Sequence, residues 1–455
     1  MSFEGEFASY EPLRRLLDSP SVQQLQSRLR IREKTEESHA FIRQLINKSD
    51  VIHASVQPDM VLGIDGSHVE AKAENGFPGA ELGYITVASV LIDLKLVNQL
   101  ARTDFISPKQ FRKTEKASTI ETVFPGCNMV LDSEKDAKAS FRRCLFEELK
   151  RVIFFSEGES LLDTYEYLFN LQRASYNDRN LPQSPIEGID AEMTFGDGEY
   201  TCPHSGDALF STDALRLHEL MNDGGSNGEL FGQVMLTLEK VVLIHILRAF
   251  EKKGWLETFR RVAFIMDGPL AVFSTSAWLV KPIQVELRRI NDLQKRINGQ
   301  DLFIIGIEKT GTFVNHFIDI DTTASGGDDK FPRQSAFLLN DAYIKKNIIF
   351  SESTKPYGLD TYFGRKFFYK TLSGHKIVAA TACFSDDQKE LDTARTDQFS
   401  RLGDVMELLD RLVSSRYPNS ISALVSAHAE AAIPLNLGKR IFEDMAREIR
   451  ERPQL

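Results

Sequence analysis

Two aspartates in this chain sit at the same place in the same device. In "MVLGIDGSHVE", residues 60–70, an apolar run rises to Asp65 and meets Gly66-Ser67. In "RRVAFIMDGPL", residues 260–270, a second apolar run rises to Asp267 and meets Gly268-Pro269. A carboxylate at the end of a buried strand is costly unless something positive meets it. Each aspartate therefore either caps a turn or holds a metal ion. Between them runs "ELFGQVMLTLEKVVLIHILRAFEKKG", residues 229–254, with Glu239 in the middle of its apolar stretch. Glu229 and Glu251 belong to the same stretch but stand near its ends, where solvation is the default. Two strand-end aspartates and one apolar-helix glutamate together favour metal over a pair of turns. Hard carboxylate oxygens suit Mg²⁺ or Mn²⁺. Two such ions can activate a water and stabilise the leaving oxygen of a phosphodiester.

These acids need elements to position them. Apolar spacing predicts helices over residues 10–47 and 136–173. Residues 60–65 read as a strand, and 82–94 as a long strand antiparallel to it. The polar stretch 174–211 reads as an insertion or mobile loop, and 319–333 as a polar loop. Residues 229–254 read as a long apolar helix, and 260–267 as the strand carrying Asp267. A helix with Pro282 near its start follows, then the strand "DLFIIGIEKTG" at 301–311. Residues 362–384 read as a hairpin turned at Ser373-Gly374, and helices close the chain at 397–415, 420–432 and 435–451. The predicted fold class is α/β. Strand with Asp65, antiparallel strand, helix with Glu239, strand with Asp267 is the order of ribonuclease H-like folds. There, carboxylates from the first strand, the first core helix and the fourth strand converge at one end of a mixed sheet flanked by helices.

Weaker candidates surround these. Lys309 ends a predicted strand beside the site and is either a contact to the scissile phosphate or a solvated lysine. Arg365, Lys366 and Lys370 lie among aromatics in "YFGRKFFYKT", a pattern that suits a single strand of nucleic acid or a half-buried hairpin. Cys202 and His204 in "CPHSG" supply only two close zinc ligands. The Gly-rich "NDGGSNGE" at 222–229 reads as a connector ahead of a helix.

At 455 residues, 42% apolar and 26% charged, the chain has an ordinary soluble profile. Its four cysteines form no C-x-x-C pair, which points to a reducing, cytoplasmic setting. No signal-peptide pattern opens the chain, and no uninterrupted apolar run suggests a membrane span. The formal net charge of −10 means that any nucleic-acid contact must use local basic patches.

"GIDGS" before a strand, "FIMDGPL" mid-chain and "RYP…ALVSAHAEAAIP" near the end resemble the NurA nucleases, partners of the HerA translocase. The resemblance covers residues 60–435 and is poor over about 100–225. It implies an N-terminal helical segment at 1–58, a nuclease core at 59–435 carrying a large insertion at 100–225, and a C-terminal helix at 436–455. It implies a homodimeric, manganese-dependent deoxyribonuclease, exonuclease or endonuclease, acting with a HerA-type hexameric ATPase in end resection for DNA repair or in antiviral defence. Its first acid falls on Asp65, its helix acid on Glu239, its second strand acid on Asp267, and its late tyrosine and histidine on Tyr417 and His428. His428 lies in a helix of small residues, where an imidazole could ligate a second metal or orient the attacking water. Two other functions compete. A non-catalytic adaptor would keep the fold for docking to a motor. An actin-like or sugar-kinase-like phosphotransferase would need a second phosphate loop where "DGPL" stands, and Pro269 removes a donor N–H there.

Overall fold

A computed structural model describes residues 11–29, 44–54, 56–73, 80–95, 115–153, 158–173, 184–186, 188–189, 196–322, 330–413 and 431. The chain divides between Arg43 and Gln44 into two compact units. In the first, α1 (Glu11–Leu17) and α2 (Pro20–Arg28) bury none of their residues, and Leu13, Leu16, Leu17 and Leu25 are exposed. Pro20 opens α2, where a missing N–H costs nothing.

In the second unit, β1 (Ile46–Asn47) corrects the helical expectation for 10–47. Then come β2 (Met60–Lys72), β3 (Glu81–Asp93) and β4 (Glu115–Pro125). Helices α3 (Ala137–Arg151) and α4 (Leu161–Arg173) follow, then the small hairpin β5 (Glu199–Thr201) and β6 (Ala208–Phe210). Next are α5 (Gly228–Lys252), β7 (Val262–Asp267), α6 (Val280–Asn298), β8 (Phe303–Glu308) and α7 (Thr312–Asp321). The described part closes with β9 (Ser335–Leu338), β10 (Gly364–Lys370), β11 (Lys376–Ala382) and α8 (Leu402–Leu412).

Nine of these strands form one mixed sheet in the order β1-β9-β10-β11-β8-β7-β2-β3-β4. β2, β7 and β8 run parallel at its centre, and the remaining pairs are antiparallel. The period-two alternation of strands sends neighbouring side chains to opposite faces. Leu62 and Ile64 join one apolar core with α3, α4, α5 and α6, while Val61 joins another that includes α8. The fold class is therefore the expected one: a mixed sheet flanked by helices.

Three features depart from the sequence reading. β2 does not break at Gly66-Ser67 but runs straight through to Lys72, paired with β3 along its whole length. Gly66 makes this possible by leaving room for α5. Within 100–225, where the sequence reading gives helices but no strand, lie the edge strand β4 and two core helices. Phe141, Leu145, Tyr165, Leu168 and Phe169 pack in the same core as α5. β4 hides its alternation because its polar residues interrupt Ile120 and Phe124. Finally, α5 is long and apolar enough to cross a membrane, but 78% of its apolar window is buried inside the protein, as in a central core helix. The hairpin turned at Ser373-Gly374 is as expected: Lys370 pairs with Lys376, and Gly374 takes φ +92°, a conformation that favours glycine.

Candidate carboxylate site

The parallel register sets Ile64 of β2 against Met266 of β7, so Asp65 and Asp267 follow side by side on adjacent strands. Asp267 is also level with Ile307 of β8. Gly268, at φ +87°, turns the chain sharply away, and its N–H returns to the Ile307 carbonyl at 2.7 Å. Asp65 is buried in mid-strand, paired with Ala88 of β3 one residue past the last β2–β7 pair.

The third acid arrives from the helix layer. A Cβ at Gly66 would lie 2.7 Å from Glu239 Oε1 and 2.6 Å from Met235 Cγ, so only glycine lets α5 bring Glu239 this close to β2. The backbone of Gly66 lies close enough to both carboxylates to favour their ionised forms slightly. Burial and then the facing Asp267 charge push the Asp65 carboxyl up to about 7. Glu239 adds to the rise, and Lys309 and Gly66 oppose it. Burial also pushes Glu239 upward, against the pull of Lys240, with Asp267 adding to the rise. The three acids thus share one electrostatic neighbourhood although they come from three elements.

Two lysines balance the cluster. Lys309 Nζ meets Asp267 Oδ2 at 2.7 Å at the partly exposed mouth. Lys240 Nζ meets Glu239 Oε2 at 2.8 Å in a pair only 2% exposed on each side. Lys309 therefore stands beside the site as its strand-end position suggested. Lys240 was not anticipated; its signal is the Glu-Lys dipeptide inside an otherwise apolar helix.

Among the described residues no three His, Cys, Asp or Glu side chains are already set around one point at ligand spacing. The donor set nevertheless fits a hard divalent cation. It consists of carboxylate oxygens that repel one another, two of them paired with Lys240 and Lys309. Tyr417 and His428 lie outside the described residues. Ala431, three residues beyond His428, is buried, and its carbonyl accepts the Thr86 hydroxyl. Thr86 pairs with Ser67, two residues past Asp65 on the same face of the sheet.

Other sequence candidates are spent elsewhere. Arg365 donates to backbone carbonyls, including Glu390 O at 2.6 Å. Lys366 pairs with Glu308 and Lys370 with Asp321, all three cations being buried. The basic-aromatic stripe of β10 is thus internal and offers no open platform for a single strand. Cys202 packs in a small apolar cluster with Ile186 and Leu209 while His204 faces solvent. Glu251 pairs with Arg289 at 2.5 Å, and Glu229 is exposed, which leaves Glu239 as the helix acid at the site. The 222–229 loop is a connector whose Ser226 donates to Glu70 and whose Asn227 donates to Glu81.

Residues 59–433 match the family described as the NurA domain. The chain belongs to the NurA family. The matched span contains Asp65, Glu239, Asp267, Lys309, Tyr417 and His428. Two solved structures are similar over nearly their whole length. The NurA nuclease from Sulfolobus solfataricus shares 11% identity with TM-score 0.34, covering 97% of this chain and 96% of that one. A second NurA crystal structure shares 11% identity with TM-score 0.27, covering 98% and 99%. A search of curated proteins returns no match.

Proposed function

We propose that this NurA-family chain is a metal-dependent deoxyribonuclease that hydrolyses phosphodiester bonds at DNA ends, built on a ribonuclease H-like core. The observation that carries the reading is the meeting of Asp65, Glu239 and Asp267 from two parallel strands and a core helix, with burial and mutual repulsion raising Asp65. Structural needs alone do not explain three acids gathered where two are buried, because an uncompensated buried charge is destabilising.

In this reading Asp65, Glu239 and Asp267 would hold Mn²⁺ or Mg²⁺, two ions in all, with His428 as a nitrogen ligand. The bound metal supplies an activated water and charge stabilisation at the leaving oxygen. The protein's part is positional. Gly66 admits Glu239 beside Asp65. Lys240 holds Glu239 from the buried side. Lys309 exchanges Asp267 for a phosphate oxygen as substrate arrives. Tyr417 and His428 are the family resemblance's remaining site residues, and Ala431, three residues past His428, accepts the Thr86 hydroxyl on the Asp65 face. The chain acts as a homodimer with a HerA-type ATPase, in repair-linked end resection or antiviral defence. The exposed leucines of α1 and α2 are the proposed motor contact.

The test is cleavage of linear and circular DNA in Mn²⁺, in Mg²⁺ and in EDTA. The parent should cut only with metal. Asp65→Ala and Asp267→Ala should each lose cleavage by about a hundredfold or more with unchanged circular dichroism. Full activity in either variant rejects the site, and no activity in the parent favours the adaptor.

A further inference from the structure

A second cavity lies beside β10, its wall mostly apolar, with Leu339, Ile344, Leu359 and Leu391 among the polar groups. Its volume is about 50 Å³, and its wall includes Tyr357, Tyr362, Arg365, Lys366, Lys389 and Asp341. By this measure one water needs roughly 10–15 Å³, so the space suits three or four waters or one tetrahedral oxyanion.

The charged groups in this wall are mostly cations. Arg365 spends its Nη groups on the carbonyls of Glu390 and Thr393, while its buried Nε–H has no hydrogen-bond partner among the described residues. Asp341 is already neutralised by Lys345 at 2.7 Å, and Lys366 is balanced by Glu308 at 2.7 Å. Lys389 is half-buried, and its Nζ donates to the neutral amide oxygen of Gln284. Arg365 and Lys389 thus bring positive charge to the wall on neutral partners.

The phenols supply a directional donor. Lys366 Nζ donates to the Tyr362 hydroxyl at 3.1 Å, and the Tyr357 and Tyr362 hydroxyls are 3.0 Å apart. Their mutual bond consumes one of their two protons, so one phenolic O–H remains to donate. Lys366 itself is clamped over the Phe313 ring at 3.7 Å and the Tyr362 ring at 4.6 Å, which fixes this arrangement before any ligand arrives.

Two short chain segments, 308–309 and 267–271, join the cavity to the acids through non-covalent contacts. Glu308 meets Lys366, while the next residue, Lys309, meets Asp267. Ala271, four residues past Asp267, bridges to Tyr362, and Phe363 N–H donates to Leu270 O at 2.9 Å.

We propose that this cavity is a subsite for a phosphate monoester, the terminal phosphate of a DNA strand; the DNA source, though not the subsite, rests on the nuclease reading. Bound there, a strand end would be anchored one short segment away from the carboxylates. Cutting would then be measured from a phosphorylated terminus.

The test is equilibrium binding by the full chain in EDTA, where cleavage is absent. The probes are inorganic phosphate and short single-stranded oligonucleotides bearing a 5′-phosphate, a 3′-phosphate or neither. The expected result is at least a tenfold preference for one phosphorylated end, competed by inorganic phosphate. Lys389→Ala and Tyr357→Phe should lose that preference, and Lys389→Arg should restore it. Phosphate binding that Lys389→Ala removes, without any preference among oligonucleotides, keeps the subsite and rejects DNA as its source. Absence of both phosphate binding and end preference overturns the subsite. Cleavage of DNA in Mn²⁺, scored separately, tells failure here from failure of the nuclease reading.

Discussion

Asp65 carries a pH signature that follows from its place in mid-strand. Its carboxyl sits at about 7 in the folded protein against an ordinary 3.8, because burial and Asp267 disfavour the ionised form. A carboxyl raised on folding holds its proton more tightly in the folded state. Its contribution is therefore fully favourable below about pH 4 and is lost as pH rises through 7. The loss is up to about 1.4 kcal/mol per pH unit for a single group. Metal-free thermal unfolding between pH 5 and pH 8 should show this loss in the parent and a smaller one in Asp65→Asn. Equal slopes in the two proteins would mean that Asp65 is already ionised at pH 5. Divalent metal should recover the lost stability most at the alkaline end, where the carboxylates no longer bind competing protons.

At the scale of elements, the contact between β2 and α5 decides whether three acids make one site. Gly66 is its pivot, since an added methyl would collide with Met235 and Glu239. Gly66→Ala should lower stability by about 1–3 kcal/mol through overpacking and should also abolish cleavage, because Glu239 must move. Gly83→Ala is the comparison, its methyl meeting the Phe231 ring away from the acids. That variant should lose stability yet keep its cleavage rate well below its own melting temperature. If Gly66→Ala cleaves at the parent rate while destabilised, the close approach of α5 serves packing only.

For the whole molecule, charge sets the expectation. A chain of net charge −10 repels DNA at long range, so binding needs basic surface gathered locally. Much of the positive charge on β10 is turned inward against Glu308 and Asp321. Two copies bringing their remaining basic surfaces together would line a channel that one copy cannot form. Light scattering should therefore give a dimer mass at micromolar concentration, and DNA affinity should fall steeply with salt. A fully active monomer would reject the channel.

The sequence alone already contained the acids and most of the elements beneath them. Asp65, Asp267 and Glu239 stand out because a charge inside an apolar run is a local anomaly, visible without any neighbour. The hairpin at Ser373-Gly374, the strands near 82–94, 262–267 and 303–308, and the helix around Glu239 were legible for the same reason: periodicity and turn chemistry are properties of a few consecutive residues. Other facts depend on partners far away along the chain. Gly66 looked like a turn residue, but pairing with β3 and the press of α5 make it an in-strand contact. Strand β4 was not legible until pairing with β3 set its alternating residues. The cations of β10 looked like a binding stripe until Glu308, Asp321 and the 388–393 carbonyls consumed them. Register and burial decide which polar groups face one another, and they emerge only when segments hundreds of residues apart are packed together.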